Sequence, residues 1–194
     1  LPAPMGDYGT IFKAYDVRGT VPGQFDAAMA ERIGAAFARF VATDDHDARR
    51  VLVARDMRPS GVALSDAFAA GVRSQGLDVV DLGLASTDLL YFASGSLDAA
   101  GAMFTASHNP AGYNGIKFCL SGARPVGEDS GLGTIRGWAE QGLDPVDAPG
   151  SRRAHDELDA FADHVRSFVD VDALGPLRVV ADTANGMGGL VVPA

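Results

Sequence analysis

Short apolar runs alternate with amphipathic segments in the first part of the chain, and this alternation constrains its fold more than any other feature. Residues 50–54 (RVLVA) are typical of a strand that is buried on both faces. Residues 60–75 follow with apolar side chains at helical spacing, Gly76 stands where a helix C-cap is expected, and residues 77–82 (LDVVDL) form another apolar run. The pattern predicts an α/β fold, with a mixed, mainly parallel sheet flanked by helices and right-handed crossovers.

The same patterns predict the other elements around this sheet. Asp26 is a suitable N-cap for a helix that continues to Val41. Further helices are expected at residues 87–95 and 134–141, and further strands at residues 102–105 and 116–120.

Proline and small polar residues dominate residues 144–153 (DPVDAPGSRR), which predicts a linker between domains. Leu158, Phe161, Val165 and Phe168 then indicate a helix, and residues 177–181 (LRVVA) a strand. We therefore expect a first domain at residues 1–150 and the incomplete beginning of a second, similar α/β domain at residues 151–194.

Composition excludes several classes of protein. The 194 residues are 47% hydrophobic and 21% charged, which is typical of a globular protein rather than a disordered chain. The formal net charge of −9 disfavours binding to nucleic acid, and no apolar run is long enough to span a membrane. Cys119 is the single cysteine, which is consistent with a reducing compartment and a cytoplasmic location.

The densest polar cluster is at residues 105–117 (TASHNPAGYNGIK), after a predicted strand. Open α/β sheets bind ligands at this end of their strands. Ser107 is a candidate nucleophile with His108 beside it, and two turn pairs could bring Lys117 back toward it. The alternative is a polar turn without chemistry. Adjacent side chains in a strand point to opposite faces, so His108 need not be the base for Ser107.

Two further loops carry charged residues. In residues 13–19 (KAYDVRG), Lys13 and Arg18 could clamp an anion, although an Asp16–Arg18 surface pair is the simpler interpretation. In residues 55–60 (RDMRPS), Ser60 could cap the following helix. Arg58 could bind an anion there, but we expect a mainly structural role in support of the Ser107 loop.

Common catalytic signatures do not occur. The chain has only two lysines, Lys13 and Lys117, and neither follows a glycine as a P-loop requires. There is no G-x-S-x-G motif and no Cys/His set with zinc spacing. Residues 186–188 (GMG) follow a predicted strand, so a nucleotide-binding turn is a weak alternative.

Taken in order, the three polar loops resemble the α-D-phosphohexomutase family, in particular the N-terminal part of its phosphomannomutase/phosphoglucomutase branch. Residues 105–110 resemble the active-site serine loop T-[GA]-S-H-N-P, and residues 14–19 resemble A-Y-D-[IV]-R-G. Residues 54–60 resemble G-R-D-x-R-x-S, except that Ala54 replaces the usual glycine. Because family members are more than twice this length, the resemblance implies a complete first domain and the opening of a second.

The resemblance implies transfer of phosphate between the 6- and 1-hydroxyls of a hexose, through a phosphoserine and a hexose 1,6-bisphosphate. Ser107 matches the phosphorylated serine, whose phosphoryl form also supplies a ligand to Mg²⁺. Arg18 and Lys117 match positions that orient phosphate and transfer protons, while His108 and Tyr15 match residues that bind substrate. The remaining metal ligands are expected outside this chain, which alone should be inactive.

Substrate and class stay open at this stage. Mannose phosphates are the expected substrates, because residues 14–16 (AYD) favour the mannose/glucose branch. Glucose or glucosamine phosphates are the alternatives within the family. A non-catalytic α/β module that binds an anion or a nucleotide is the alternative outside it, and apolar surface of the incomplete second domain could cause self-association.

Overall fold

The computed structural model describes residues 6–194, so the first five residues of the predicted first domain lie outside it. The strands are β1 (Val17–Thr20), β2 (Arg50–Arg55), β3 (Asp78–Leu84), β4 (Ala100–Phe104), β5 (Tyr113–Leu120), β6 (Arg124–Pro125) and β7 (Arg152–Ala154). The α-helices are α1 (Tyr8–Ile11), α2 (Ala27–Asp44), α3 (Ser60–Ser74), α4 (Thr87–Ser96), α5 (Leu132–Gln141), α6 (Leu158–Arg166) and α7 (Gly188–Val191).

One mixed sheet organises the described residues, with the strand order β1-β5-β4-β2-β3-β7 and with β6 paired to β5. β2 runs parallel to both β3 and β4, and β7 runs parallel to β3. β5 is antiparallel to β4, β1 and β6, so it alone runs against the other strands. The expected mixed, mainly parallel sheet is therefore confirmed.

Helices cover both faces of the sheet because its central strands are apolar on both sides. Along β2, Val51 and Val53 belong to one core with α2, α3 and α5, while Leu52 and Ala54 belong to a second core with α4. Four rings lie at the centre of the first core: Phe37, Phe68, Phe104 and Phe118. No helix of residues 6–194 is long and apolar enough to cross a bilayer.

The predicted helices are present, with one difference at α3. Asp26 caps α2 by accepting a hydrogen bond from the Met29 amide at 2.8 Å, and Gly76 follows α3 with a φ of +85°. Ser60 was expected to cap α3, but Pro59 holds the N-cap position. The Ser60 hydroxyl instead accepts a hydrogen bond from the side-chain amide of Asn114, so it joins α3 to β5.

The segment predicted as a linker is docked on the sheet. The Val146 amide donates to the Ser74 carbonyl, and the Gly150 amide donates to the Arg73 carbonyl. The Ser151 amide and hydroxyl both donate to the Asp78 carboxylate, and β7 then extends the sheet at its edge. Residues 152 and 153 of this segment belong to β7, and backbone hydrogen bonds hold the preceding residues against α3 and β3. Where a second domain begins stays a prediction.

Beyond β7 the expected helix is present as α6, whose Phe161 packs on Phe92 with 5.7 Å between ring centroids. The strand predicted at residues 177–181 is absent. A strand needs a hydrogen-bonded neighbour, and these residues have none in the described part of the chain; Val180 is 95% exposed. The glycine turn at residues 186–188 consequently lacks the preceding strand that a nucleotide-binding turn requires.

Candidate active site

The Ser107 loop begins where β4 ends, at the carboxyl edge of the sheet. The Thr105 amide donates to the Gly115 carbonyl, which anchors the start of the loop to β5. The Thr105 hydroxyl accepts a hydrogen bond from the Ser107 amide at 3.0 Å. Ser107 is exposed and adopts a φ of +53°, the left-handed region that residues with a side chain rarely occupy. The hydroxyl is thus presented to solvent by a backbone that its neighbours constrain.

His108 lies close to the Ser107 hydroxyl. Its Nδ1 atom is 3.3 Å from Ser107 Oγ. The expectation that neighbouring side chains point to opposite faces does not apply, because β4 ends at Phe104 and residues 107–109 form a turn. Nδ1 can donate to the hydroxyl in one ring tautomer and accept from it in the other. His108 can therefore orient the hydroxyl or exchange a proton with it.

Arg58 anchors the Ser107 loop from the interior of the protein. Its guanidinium donates to four carbonyl oxygens of the loop, those of Ser107, Asn109, Pro110 and Tyr113, at 2.7–2.9 Å. The side chain is buried, and its Nε donates to the equally buried Asp56 carboxylate at 3.2 Å. The expected supporting role of Arg58 therefore agrees with its contacts.

A second group of charges lies beside the loop, where β1 pairs with β5. Asp16 Oδ2 accepts hydrogen bonds from Arg18 at 2.5 Å and from Lys117 Nζ at 3.3 Å. Arg18 also donates to the side-chain carbonyl of Asn109 at 3.2 Å, which connects this group to the Ser107 loop. Both cations are 30% exposed, whereas the carboxylate is only 8% exposed. Two cations share one buried carboxylate, so the group has a positive charge to offer an anion.

The pair predicted between Asp16 and Arg18 exists, but it is not a surface pair. The anion clamp predicted for Lys13 and Arg18 stays a prediction, and the two side chains do not share a partner. Lys13 Nζ donates to the Thr10 carbonyl of α1, and Lys117 from β5 joins Arg18 instead. Tyr15 is 80% exposed and borders, together with Lys117, a groove of about 350 Å³.

Sequence patterns did not identify two polar residues of this site. Asn109 contacts Arg18, and Asp56 orients Arg58. Asn109 was assigned only to a turn with Pro110, and Asp56 was one of several charges in its loop. Both residues stand within the motifs matched above, but the motifs do not state which side chain each one contacts, and Asn109 lies 91 residues from Arg18.

The described residues do not complete a magnesium site. No group of three or more His, Cys, Asp or Glu side chains in residues 6–194 is arranged to hold a metal ion. Mg²⁺ prefers six oxygen ligands, and Ser107 offers only one side-chain oxygen here. The Asp16 and Asp56 carboxylates are already bonded to cationic side chains.

Comparisons with known proteins show which family this chain belongs to. The family described as "Phosphoglucomutase/phosphomannomutase, alpha/beta/alpha domain I" matches residues 9–137, which is more than half of the chain. The chain belongs to the phosphoglucomutase/phosphomannomutase family. Its matched region contains the Ser107 loop and both neighbouring charged loops.

Relatives within this phosphohexomutase family cover nearly the whole chain. It is 39% identical over 183 residues to a protein named "Phosphohexose mutases" from Xanthomonas campestris, and 38% identical over 189 residues to a phosphomannomutase from Salmonella montevideo. These alignments cover 93% and 95% of this chain but only 40% of each relative. The chain therefore spans about two fifths of the length of these relatives.

A solved structure of the family has the same fold. The crystal structure of a phosphoglucomutase/phosphomannomutase family protein from Burkholderia thailandensis superposes with a TM-score of 0.73 at 33% sequence identity. The match covers 83% of this chain and 36% of that one. The fold described above is accordingly that of the N-terminal part of a phosphohexomutase.

Proposed function

We propose that this chain provides the phosphoserine-carrying part of a phosphomannomutase, which interconverts mannose 6-phosphate and mannose 1-phosphate. The observation that carries the proposal is the exposed Ser107 hydroxyl beside two cations, Arg18 and Lys117, that share a single carboxylate. Transfer between two anionic groups needs positive charge at the reacting atoms, because the transition state spreads negative charge over the phosphoryl oxygens.

The proposed reaction has two phosphoryl transfers. In the first, the bond between Ser107 Oγ and phosphorus breaks while a sugar hydroxyl forms a new bond to phosphorus, which yields a hexose 1,6-bisphosphate. The sugar hydroxyl loses a proton and Ser107 Oγ gains one. After the bisphosphate reorients, its other phosphate returns to Ser107 and the product monophosphate leaves.

Each remaining residue has a part in this proposal. Arg18 and Lys117 hold the substrate phosphate, and Lys117 and His108 are the groups of the site that can transfer protons. Tyr15 presents its exposed ring to the sugar.

Magnesium is part of the proposal only because the resemblance to the family implies it. A phosphoryl group on Ser107 would add oxygen ligands, and a bound Mg²⁺ would neutralise its charge. Because residues 6–194 provide no further ligand set, we expect the 194-residue chain alone to show no turnover.

Mannose is proposed because the Salmonella relatives are named phosphomannomutase and align over about 95% of this chain. Glucose and glucosamine phosphates are the alternative substrates. An anion-binding module without catalysis is the second candidate function, and the same cationic group supports it.

The test is a coupled assay of the full-length gene product with mannose 6-phosphate, glucose 6-phosphate and glucosamine 6-phosphate. Ser107→Ala removes the phosphoryl carrier, and we expect it to lower kcat by at least about 1,000-fold. Ser167→Ala, at an exposed serine after α6, is the matched control and should keep full activity. Retention of activity by Ser107→Ala would exclude the phosphoserine role, and inactivity of the unmodified protein toward all three sugars would favour the binding module.

A further inference from the structure

We propose that Arg58 is a positioning residue for phosphoryl transfer: it orients the peptide between Ser107 and His108 so that the His108 amide donates a hydrogen bond to the phosphoryl group on Ser107. The inference rests on the function proposed above. It adds a backbone donor to the site and assigns the task of aiming that donor to a buried side chain.

Carbonyl oxygens of the Ser107 loop accept hydrogen bonds from both terminal nitrogens of the Arg58 guanidinium. Two hydrogen bonds of its Nη2 go to the carbonyls of Ser107 and Asn109, and two of its Nη1 go to those of Pro110 and Tyr113. The remaining donor, Nε, is bonded to Asp56. With its donors occupied and its side chain only 5% exposed, Arg58 is poorly placed to bind substrate directly. Its contacts act on the shape of the loop.

The second observation concerns the direction of one peptide group. The Ser107–His108 peptide is trans, so its N–H points opposite to its C=O. The Ser107 carbonyl points inward to Arg58 at 2.9 Å, and the His108 N–H therefore points outward, to the solvent side of the loop. Within residues 6–194 no acceptor is recorded for this N–H. A free backbone donor thus lies next to the exposed Ser107 hydroxyl.

The third observation is the left-handed conformation of Ser107. A residue with a β carbon adopts this conformation only when its surroundings hold it there. The Thr105 hydroxyl binds the Ser107 amide, and Arg58 binds the Ser107 carbonyl, so both of its backbone polar groups are fixed. If the carbonyl bond is lost, the peptide can rotate and the donor no longer faces the phosphoryl group.

Arg58→Lys is the substitution that tests this role. Lysine keeps the positive charge beside Asp56, but its compact ammonium has three donors and cannot reproduce the planar fork that spans four carbonyls. In the full-length gene product we expect Arg58→Lys to lower kcat about 100-fold with little change in KM, because a positioning error acts on the reacting atoms. Arg73→Lys is the matched control, since Arg73 also donates to a backbone carbonyl, that of Gly150, but away from the loop.

A purely structural role predicts a different result. It would lower the melting temperature of both variants and leave kcat unchanged at temperatures where each is folded. Equal kcat for Arg58→Lys and the unmodified protein, with both folded, would overturn the inference.

A second measurement does not depend on mutase activity. Phosphoserine can be incorporated at position 107 of the 194-residue chain, and the His108 amide proton followed by ¹H–¹⁵N NMR. We expect a downfield shift on phosphorylation and a clearly smaller shift when Arg58 is replaced by lysine. An unchanged His108 amide in the phosphorylated chain would refute the proposed hydrogen bond even if the mutase assay succeeds, and the expected shift would support it even if the assay fails.

Discussion

At the scale of single residues, Asp16 explains how an acidic chain presents a cationic site. Its buried carboxylate accepts from both Arg18 and Lys117, and so holds the two cations together without neutralising both. Each cation keeps 30% of its side chain exposed. In the proposed reaction, an incoming phosphate would contact both of them while Asp16 stays in place, so no internal anion would have to leave first.

Cys119 permits a prediction about pH. Burial raises the pKa of its thiol above the ordinary value of 9.0, against a smaller opposing effect from the Ser94 hydroxyl. The unfolded chain loses this proton at lower pH than the folded chain does. The stabilisation that comes from keeping the Cys119 thiol protonated is thus complete below about pH 9. It disappears as the pH rises through the higher pKa that the thiol has in the folded protein.

The free energy of unfolding should consequently fall as the pH rises above about 9, as measured by urea denaturation. Burial also raises the pKa values of Tyr8 and Tyr91, so Cys119→Ala should reduce this fall but not abolish it. If the fall is the same with and without the thiol, Cys119 does not contribute to it. Slow reaction of the native thiol with a disulfide reagent, and fast reaction in urea, would independently report its burial.

At the scale of elements, the contact between α2 and α3 depends on glycine. A β carbon built on Gly71 of α3 would lie 1.9 Å from the Glu31 carbonyl oxygen of α2, so the two helix backbones approach too closely for any side chain. We expect Gly71→Ala to destabilise the protein by about 1–3 kcal/mol, as overpacking does.

A matched glycine separates this effect from helix propensity. Gly137 lies within α5, and a β carbon there would have no neighbour within 4 Å. Gly137→Ala should stabilise by about 0.5–1 kcal/mol, since alanine favours the helix. Urea denaturation measures both variants. A Gly71→Ala protein as stable as the original would mean that the helices separate at little cost.

The same elements show what sequence patterns can and cannot predict. The helices α2 and α3 and the strand β2 were predicted to within three residues at each end, because apolar periodicity and capping are local signals. Residues 177–181 have the apolar pattern of a strand but no strand beside them, and β7 has no apolar pattern but lies against β3. Strand formation depends on a partner, which local sequence does not specify.

The same distinction applies to the candidate site, where sequence patterns identified residues but not the contacts between distant ones. Ser107, His108, Arg18 and Lys117 carry reactive or charged groups in recognisable motifs, and they were identified from sequence. The bonds from Arg58 to four carbonyls and from Asn109 to Arg18 join residues about 50 and 91 positions apart. Such distant contacts follow from the sheet order, which the sequence patterns left open.

At the scale of the whole molecule, the net charge and the exposed apolar side chains have opposite effects on self-association. The formal net charge is −9, so two copies repel each other at low ionic strength. Apolar side chains are nevertheless exposed near the C-terminal end of the chain: Phe168 (73%), Leu177 (73%), Val179 (80%) and Val180 (95%). Exposed apolar groups close together in sequence favour contact with another surface.

We therefore expect the 194-residue chain to self-associate as its concentration rises, and to do so more strongly in high salt, which screens the negative charge. Val180→Glu adds charge at the most exposed of the large apolar side chains in residues 6–194 and should lower the fraction of oligomer. Val62→Glu is the matched control, because Val62 is an exposed valine on α3, outside the apolar C-terminal group. Light scattering coupled to size-exclusion chromatography measures all three proteins across a concentration series. Equal reduction by both variants would show that net charge alone controls association, and a monomer at every concentration and salt level would show that these apolar side chains do not bind a second copy.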